Sequence, residues 1–309
     1  MSFWNKIRDK KLVDLLPNVK GKYLTNVPLS KYTRFRVGGP AEVLFIPQDE
    51  EDLANFLKKR PKNMPLCLIG SGSNLLIRDG GIPGVVIKLD SPYFRQVIFD
   101  KKNKTVKCFA GMRNFDLKKI MLDNQVGGLE FLCSIPGVIG GSIKTNSGCY
   151  GKEVKDYIVS ATVMDEEANL LQIGVEDLKL TYRGSLFPDS WIVTSITLKT
   201  EPKTRREVLD VLEEQKNHRL KSQPFEAKTA GSTFKNPDGL KAWELIKKSE
   251  ADKLVVGGAR VSEKHCNFLI NDGTATAKDI ETLGEQIIAK VKEKTSIVLE
   301  WEIKRMGIE

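Results

Sequence analysis

The order of apolar and polar positions divides the chain into short elements. EVLFIP at 42–47 reads as a strand, and DEEDLANFLKKR at 49–60 as a helix with acids first and bases last, which suits its dipole. Apolar runs at Leu66–Ile69 and Leu75–Ile77 flank Gly70-Ser71-Gly72-Ser73-Asn74; a turn at Arg78–Gly81 and a strand at Val85–Leu89 follow. Residues 95–100 and 104–110 form a hairpin, 114–124 a helix, 157–164 and 168–173 a second hairpin, 175–180 a helical turn and 191–199 a strand. Composition shifts at Glu201-Pro202. Beyond it the pattern predicts a connector helix over 204–219, a glycine-flanked loop at 230–237 and a helix over 240–249. Extended pieces near 254–256 and 266–271, a long helix over 276–294 and a final strand over 296–304 complete an α+β unit. At the start, Phe3, Trp4, Ile7, Leu12 and Leu15 read as a short docking helix.

One stretch follows neither period. Gly127–Gly151, GGLEFLCSIPGVIGGSIKTNSGCYG, holds seven glycines and almost no charge, and it predicts neither helix nor strand. Interior glycine disfavours regular elements by about 0.5–1 kcal/mol relative to alanine, so this density fits main chain that approaches another group closely. A flat ligand against backbone and a chain of tight turns both satisfy the pattern.

Composition narrows the class. The chain has 309 residues, enough for about two domains, with 40% hydrophobic and 29% charged residues, an ordinary globular balance. No apolar run is long enough to span a membrane, and the first residues lack a signal-peptide pattern. The expected compartment is the cytoplasm. Five scattered cysteines fit reduced thiols rather than a disulfide frame, and with two distant histidines no metal site is expected. The net charge of +9 sits in mixed-sign helical stretches rather than one basic block, so no nucleic-acid partner is expected.

Familiar phosphate motifs fail. Gly70 and Gly72 match the first two glycines of a dinucleotide fingerprint, but Leu75 takes the third place and the chain returns to extended structure instead of opening a helix. No P-loop occurs. What remains at Gly70–Asn74 is a glycine-serine loop able to aim N–H groups at an anion, or an ordinary turn. His265 precedes a strand, and His218 ends a charged helix. Three polar spots carry candidate chemistry: Tyr182-Arg183-Gly184-Ser185, an anion clamp or a surface cation; Ser232 with Lys235 and Asn236, a hydroxyl beside an ammonium or a plain turn; and Leu299–Ile303, where alternation sets Glu300 and Glu302 opposite Leu299, Trp301 and Ile303.

Taken together, the motifs resemble the UDP-N-acetylenolpyruvoylglucosamine reductase family over about residues 31–305. The resemblance rests on Phe35–Ala41, Gly70–Leu76, Ile135–Gly137 with Gly140-Gly141, Asn146–Gly148 with Tyr150-Gly151, Tyr182-Arg183 with Ser185 and Phe187, Ala230–Ser232 with Phe234–Pro237, and Lys264-His265 with Asn267-Phe268. It implies an α+β fold: a two-lobed FAD-binding domain of the vanillyl-alcohol-oxidase type over 31–202, with lobes of about 31–90 and 91–202, and a C-terminal substrate domain over 203–309, behind an N-terminal segment of 1–30. It implies FAD and NADPH as cofactors, a small-molecule UDP-sugar enolpyruvyl ether as substrate, no membrane, and a monomer in peptidoglycan precursor synthesis, with its consequences for cell shape and division.

The implied reaction adds hydride to C3 of the enolpyruvyl ether and a proton to C2, so it needs a cation or donor at the carboxylate and an acid at C2. The resemblance assigns Ser232 as proton donor with Arg183 and Glu302 as electrostatic and orienting partners. It assigns FAD to Arg36, Ile69, Gly70, Ser71, Gly72, Ser73, Asn74, Leu75, Ser134, Pro136, Gly137, Gly140, Gly141, Asn146, Gly148 and Ile192. Lys235, Asn236, Arg260 and Lys264 are the substrate candidates. Departures from the family pattern are Trp301 where proline is usual between the glutamates, Lys304-Arg305 near the usual arginine, Cys149 and Cys266 in place of alanine, and a short segment between Arg183 and Ser232, as in the branch lacking an inserted substrate loop. Another oxidoreductase on the same FAD domain and a non-catalytic basic binding protein are the competing readings.

Overall fold

The computed structural model describes residues 11–309. Leu12–Leu15 form a single 3-10 turn with Leu12 buried; Phe3, Trp4 and Ile7 of the expected docking helix lie outside the described residues. The described chain forms two compact units. Among the described residues, the first comprises 11–25, Val43–Ser71 and Gly84–Lys216, and the second Asn26–Glu42, Gly72–Pro83 and Asn217–Glu309. No helix among the described residues is long and apolar enough to cross a membrane.

The first unit has two cores. One gathers Val43, Phe45, Leu53, Phe56, Val85, Ile87 and Phe94 between the helix Glu50–Lys59 and a sheet in the order Lys22–Pro28, Pro40–Ile46, Ile82–Ile87, Leu66–Leu68, whose strands run on past the unit boundary. The Phe45 and Phe56 rings stand 4.5 Å apart. The helix forms where its charges predict: Asp49 caps it by accepting the Asp52 N–H, and Lys58 and Lys59 close it. The second core lies on an antiparallel sheet ordered Leu170–Gly174, Ile158–Met164, Ile192–Lys199, Thr105–Phe109, Val97–Asp100. It buries Val106, Cys108, Ile139, Ile143, Val163, Ile196 and Leu198. Both predicted hairpins lie within this sheet.

The glycine stretch does not stay irregular. It contains two short helices, Glu130–Cys133 and Ile139–Lys144. The second buries Ile139, Ser142 and Ile143, a three-four spacing hidden by glycines at 140 and 141. Gly140 is there for proximity: a Cβ on it would stand 2.9 Å from the Ala110 Cβ, and its N–H donates to the Ala110 carbonyl at 2.9 Å.

The second unit packs the helix Ala277–Thr295 on the meander Val255–Val256, Ala259–Val261, Leu269–Asn271. Ile280, Leu283, Ile287 and Val291 make its buried stripe, and Thr276 and Asp279 form a capping box at its start. The final strand departs from expectation. Ser296 is the left-handed C-cap of that helix. Residues 297–302 lie against an irregular loop, paired with it in register only at Phe234 and Trp301. The strand proper is Lys304–Met306, parallel to Leu75–Ile77. The alternation survives without a ladder, since Leu299 and Ile303 are buried while Glu300 is exposed.

Candidate functional site

In the first unit the two glycine regions meet. A Cβ on Gly70 would stand 2.8 Å from Val138 Cγ2, so the loop after Ile69 lies against the turn that opens the helix Ile139–Lys144. The buried Asn114 holds that turn. Its N–H donates to the Gly137 carbonyl at 3.1 Å, and its Nδ2 donates to the Ile135 carbonyl at 3.1 Å and to Ser142 Oγ at 2.8 Å. On the open side, a Cβ built on Gly141 would meet nothing closer than 4.0 Å. Ser134 Oγ donates to the Phe131 carbonyl at 2.8 Å and lies 3.4 Å from Cys149 Sγ. Ile192 is buried in the strand Ile192–Lys199, opposite Met164.

Arg183 sits at the tip of the two-residue ladder Leu180-Thr181 with Gly184-Ser185, in a left-handed conformation of φ 55°. Its guanidinium donates to the Gly148 carbonyl at 3.0 Å, meets Glu153 at 3.5 Å and lies 4.9 Å from the Tyr182 ring. Asn146, fully buried, donates through Nδ2 to Glu153 at 3.0 Å and to the Thr181 carbonyl at 2.9 Å, and accepts the Lys155 N–H. Arg183, distant in sequence from Asn146 and Gly148, therefore joins them in one cluster around Glu153.

The second unit assembles the other group. Ser232 pairs with Phe268, and its neighbour Thr233 donates its N–H to the Asn267 carbonyl at 2.8 Å. The Thr233 carbonyl accepts the Glu302 N–H at 2.8 Å. Asn74 Nδ2 donates to the Glu302 carbonyl at 3.1 Å, and the Lys304 N–H donates to the Asn74 carbonyl at 3.0 Å. Glu302 is thereby tied to Asn74 and lies opposite Thr233, the residue after Ser232, and both Ser232 and Glu302 are half-buried. Lys235 Nζ reaches Glu300 at 3.3 Å. Asn236 Oδ1 caps the helix Ala242–Lys248 by accepting the Ala242 N–H at 3.0 Å. Arg260 is exposed on the meander, and Lys264 donates to the Leu220 carbonyl. His265 is structural in its contacts: Nδ1 accepts the Asn267 N–H at 3.2 Å, the ring stacks edgewise on Phe268, and burial lowers its pKa.

Several contributors were not singled out from sequence. Asn114 and Glu153 act only through tertiary contacts, and nothing local marks them. Arg34 is held below the ordinary arginine range by burial first and then by the positive charge of Arg219 and Arg36. The buried Arg219 Nε meets no partner, and Arg36, at φ 60°, donates to the Lys31 carbonyl. Such uncompensated charge fits an anionic ligand. Gly72 is required outright: its φ is +63°, and a Cβ would lie 1.9 Å from the Tyr32 carbonyl oxygen. All five cysteines are free, and no metal-binding group of His, Cys, Asp and Glu occurs among the described residues.

These residues fit a flavin nucleotide. Within the first unit Gly141 leaves space beside main chain; within the second Arg34, Arg36 and Arg219 concentrate positive charge.

Comparison with known proteins agrees. Residues 41–174 match an FAD binding domain family, and residues 223–306 match the C-terminal domain of UDP-N-acetylenolpyruvoylglucosamine reductase. The reductase of Paramagnetospirillum magneticum is 44% identical over 301 residues, 97% of each chain, and that of a Bradyrhizobium species 44% identical over 293 residues, 95% of each. The crystal structure of the Thermus caldophilus reductase superposes with a TM-score of 0.79 at 32% identity, covering 93% of this chain and 99% of that one. The chain thus has the expected α+β architecture with an FAD-binding domain, and it belongs to the UDP-N-acetylenolpyruvoylglucosamine reductase family of FAD-dependent oxidoreductases in peptidoglycan synthesis.

Proposed function

We propose that Ser232, Glu302 and Arg183 carry out the protein's part in reducing the enolpyruvyl ether of UDP-N-acetylglucosamine enolpyruvate to UDP-N-acetylmuramate. Bound FAD supplies the hydride chemistry, with NADPH as reductant. The protein must then protonate C2 and stabilise charge that builds on the substrate carboxylate. Ser232 is the proton donor. A serine hydroxyl is a weak acid, so its neighbours must support it, and the observation that supports this reading is the Glu302 N–H bond to the carbonyl of Thr233, the residue after Ser232. Arg183, steadied by Gly148 and Glu153, serves as the cation for the developing carboxylate charge.

FAD would be held by Arg36, Ile69, Gly70, Ser71, Gly72, Ser73, Asn74, Leu75, Ser134, Pro136, Gly137, Gly140, Gly141, Asn146, Gly148 and Ile192. Lys235, Asn236, Arg260 and Lys264 would contact the sugar nucleotide. The contacts of Asn236 leave its exposed NH2 to offer a substrate oxygen, while its Oδ1 caps a helix. The division at residues 202 and 203 into FAD and substrate domains belongs to this reading, supported by family matches that end at 174 and resume at 223. So do a monomeric state, the absence of a nucleic-acid partner, a cytoplasmic location and a role in cell shape and division. Five free thiols support a reducing compartment.

The test is a split of half-reactions. Ser232→Ala should keep reduction of bound flavin by NADPH and lose its reoxidation by the enolpyruvyl substrate. Equal loss of both removes the assigned role.

A further inference from the structure

Trp301 stands where the family pattern has proline, and its surroundings are built for it. The helix Ala277–Thr295 carries Gly284 on its buried stripe at an ordinary helical φ. Glycine inside a helix is about 1 kcal/mol worse than alanine, so something other than backbone geometry requires it here. A Cβ on Gly284 would lie 2.2 Å from both Cη2 and Cζ2 of Trp301. The indole edge therefore occupies the place of the missing side chain. The rest of the ring is held from other sides. Nε1 donates to Glu285 at 3.0 Å, the Arg305 guanidinium stacks 4.7 Å from the ring, and Phe234 lies 5.3 Å away between centroids. Arg305 pairs with Glu285 at 2.5 Å and with Glu281 at 3.0 Å, and Glu281 also pairs with Arg78 at 2.9 Å.

The backbone beside the indole is the backbone of the proposed site. Phe234 and Trp301 face each other in register; on either side of that pair the Lys235 N–H donates to the Glu300 carbonyl at 2.9 Å and the Glu302 N–H to the Thr233 carbonyl at 2.8 Å. The pairing is an isolated bridge with two flanking bonds rather than part of a longer ladder, so the ring contact at Trp301 is a large share of what fixes the segment. We infer that Trp301, wedged on Gly284, is the positioning residue that fixes Glu302 opposite Thr233, next along the chain from Ser232. This inference rests on the roles proposed above for Ser232 and Glu302.

The experiment uses the FAD-loaded enzyme. Gly284→Ala must push the indole from 2.2 Å out to an ordinary contact of 3.4–4 Å, a shift of more than 1 Å, and displacements of about 1 Å around a reacting centre lower rates by about 10²-fold. Reoxidation of flavin by the enolpyruvyl substrate should fall ~10–100-fold in Gly284→Ala, with NADPH reduction within about twofold of wild type and a larger solvent isotope effect on reoxidation. Trp301→Phe removes the atoms that clash. In the double variant, Gly284→Ala should therefore cause no further loss beyond Trp301→Phe alone. Wild-type reoxidation in Gly284→Ala overturns the inference, and so does equal loss of both half-reactions without rescue. Ser232→Ala, measured alongside, separates the two failures: if it reoxidises normally, the proposed roles fall first; if it is selectively impaired while Gly284→Ala is normal, only the positioning role falls.

Discussion

Asn114 offers the sharpest check on how the proposed flavin surface is held. Its side chain is buried and ties together the Ile135 carbonyl and Ser142 Oγ, the two sides of the turn containing Pro136 and Gly137. Asn114→Ala leaves those two groups without that partner, and each orphaned buried polar group costs about 1–3 kcal/mol. Partial relaxation of a loop makes ~2 kcal/mol a reasonable net figure, which corresponds to about 4–8 °C in Tm for units of this size. If binding FAD has to restore the turn, the same ~2 kcal/mol lowers FAD affinity by about 30-fold. Asn114→Asp keeps the shape and an acceptor but offers no amide donor, so it should resemble alanine in affinity. The assay is titration of deflavinated protein with FAD, followed by quenching of flavin fluorescence, beside thermal melts with and without FAD. An alanine variant that binds FAD and melts like wild type refutes the reasoning. A variant that loses stability but keeps FAD affinity shows that the turn does not support the flavin surface.

Two further outcomes follow from burial and charge. The bidentate hydrogen bonds from Arg78, followed by its charge and that of Arg305, hold the Glu281 carboxyl below the ordinary carboxylate range. Its stabilisation is therefore present above the unfolded value, about pH 4.3, and is lost as pH falls through the lower folded value; the Tm gap between wild type and Glu281→Gln should be widest near neutral pH and close in acid, and a gap that stays constant down to about pH 3 contradicts the pairing. Burial pushes the Cys108 and Cys133 thiols up to about 12, which leaves ~10⁻⁴ of each as thiolate at about pH 8. Brief alkylation of the native protein should spare both, as read by peptide mass spectrometry, and labelling of either as fast as the half-buried Cys67 would count against that environment.

Legibility in the sequence followed locality. The helices Glu50–Lys59 and Ala277–Thr295 carry their caps, end charges and apolar stripes within their own residues, so each lay close to its predicted span. The hairpins were legible because alternation and a short turn lie in one window. The strand Lys22–Pro28 was passed over because it is mostly exposed and carries no clean alternation. Ile139–Lys144 was hidden because its glycines answer to Ala110, which lies elsewhere in the chain. The final strand was misplaced because its partner, Leu75–Ile77, is remote in sequence, whereas the motifs that carry the family resemblance were readable because each lies within a few consecutive residues.

By itself, then, the sequence determined the family, the order of most elements and the residue types available for chemistry, since those depend on short-range pattern and motif spacing. Tertiary structure alone decided which residues stand together. It placed Arg183 with Glu153 and Asn146, Glu302 with Thr233 and Asn74, and Gly70 against Val138. It also turned Trp301, a bare departure from pattern, into a ring seated on Gly284. The physical reason is the same in each case: these contacts join residues distant along the chain, and whether a glutamate is solvated or half-buried against another loop depends on packing that no local window contains.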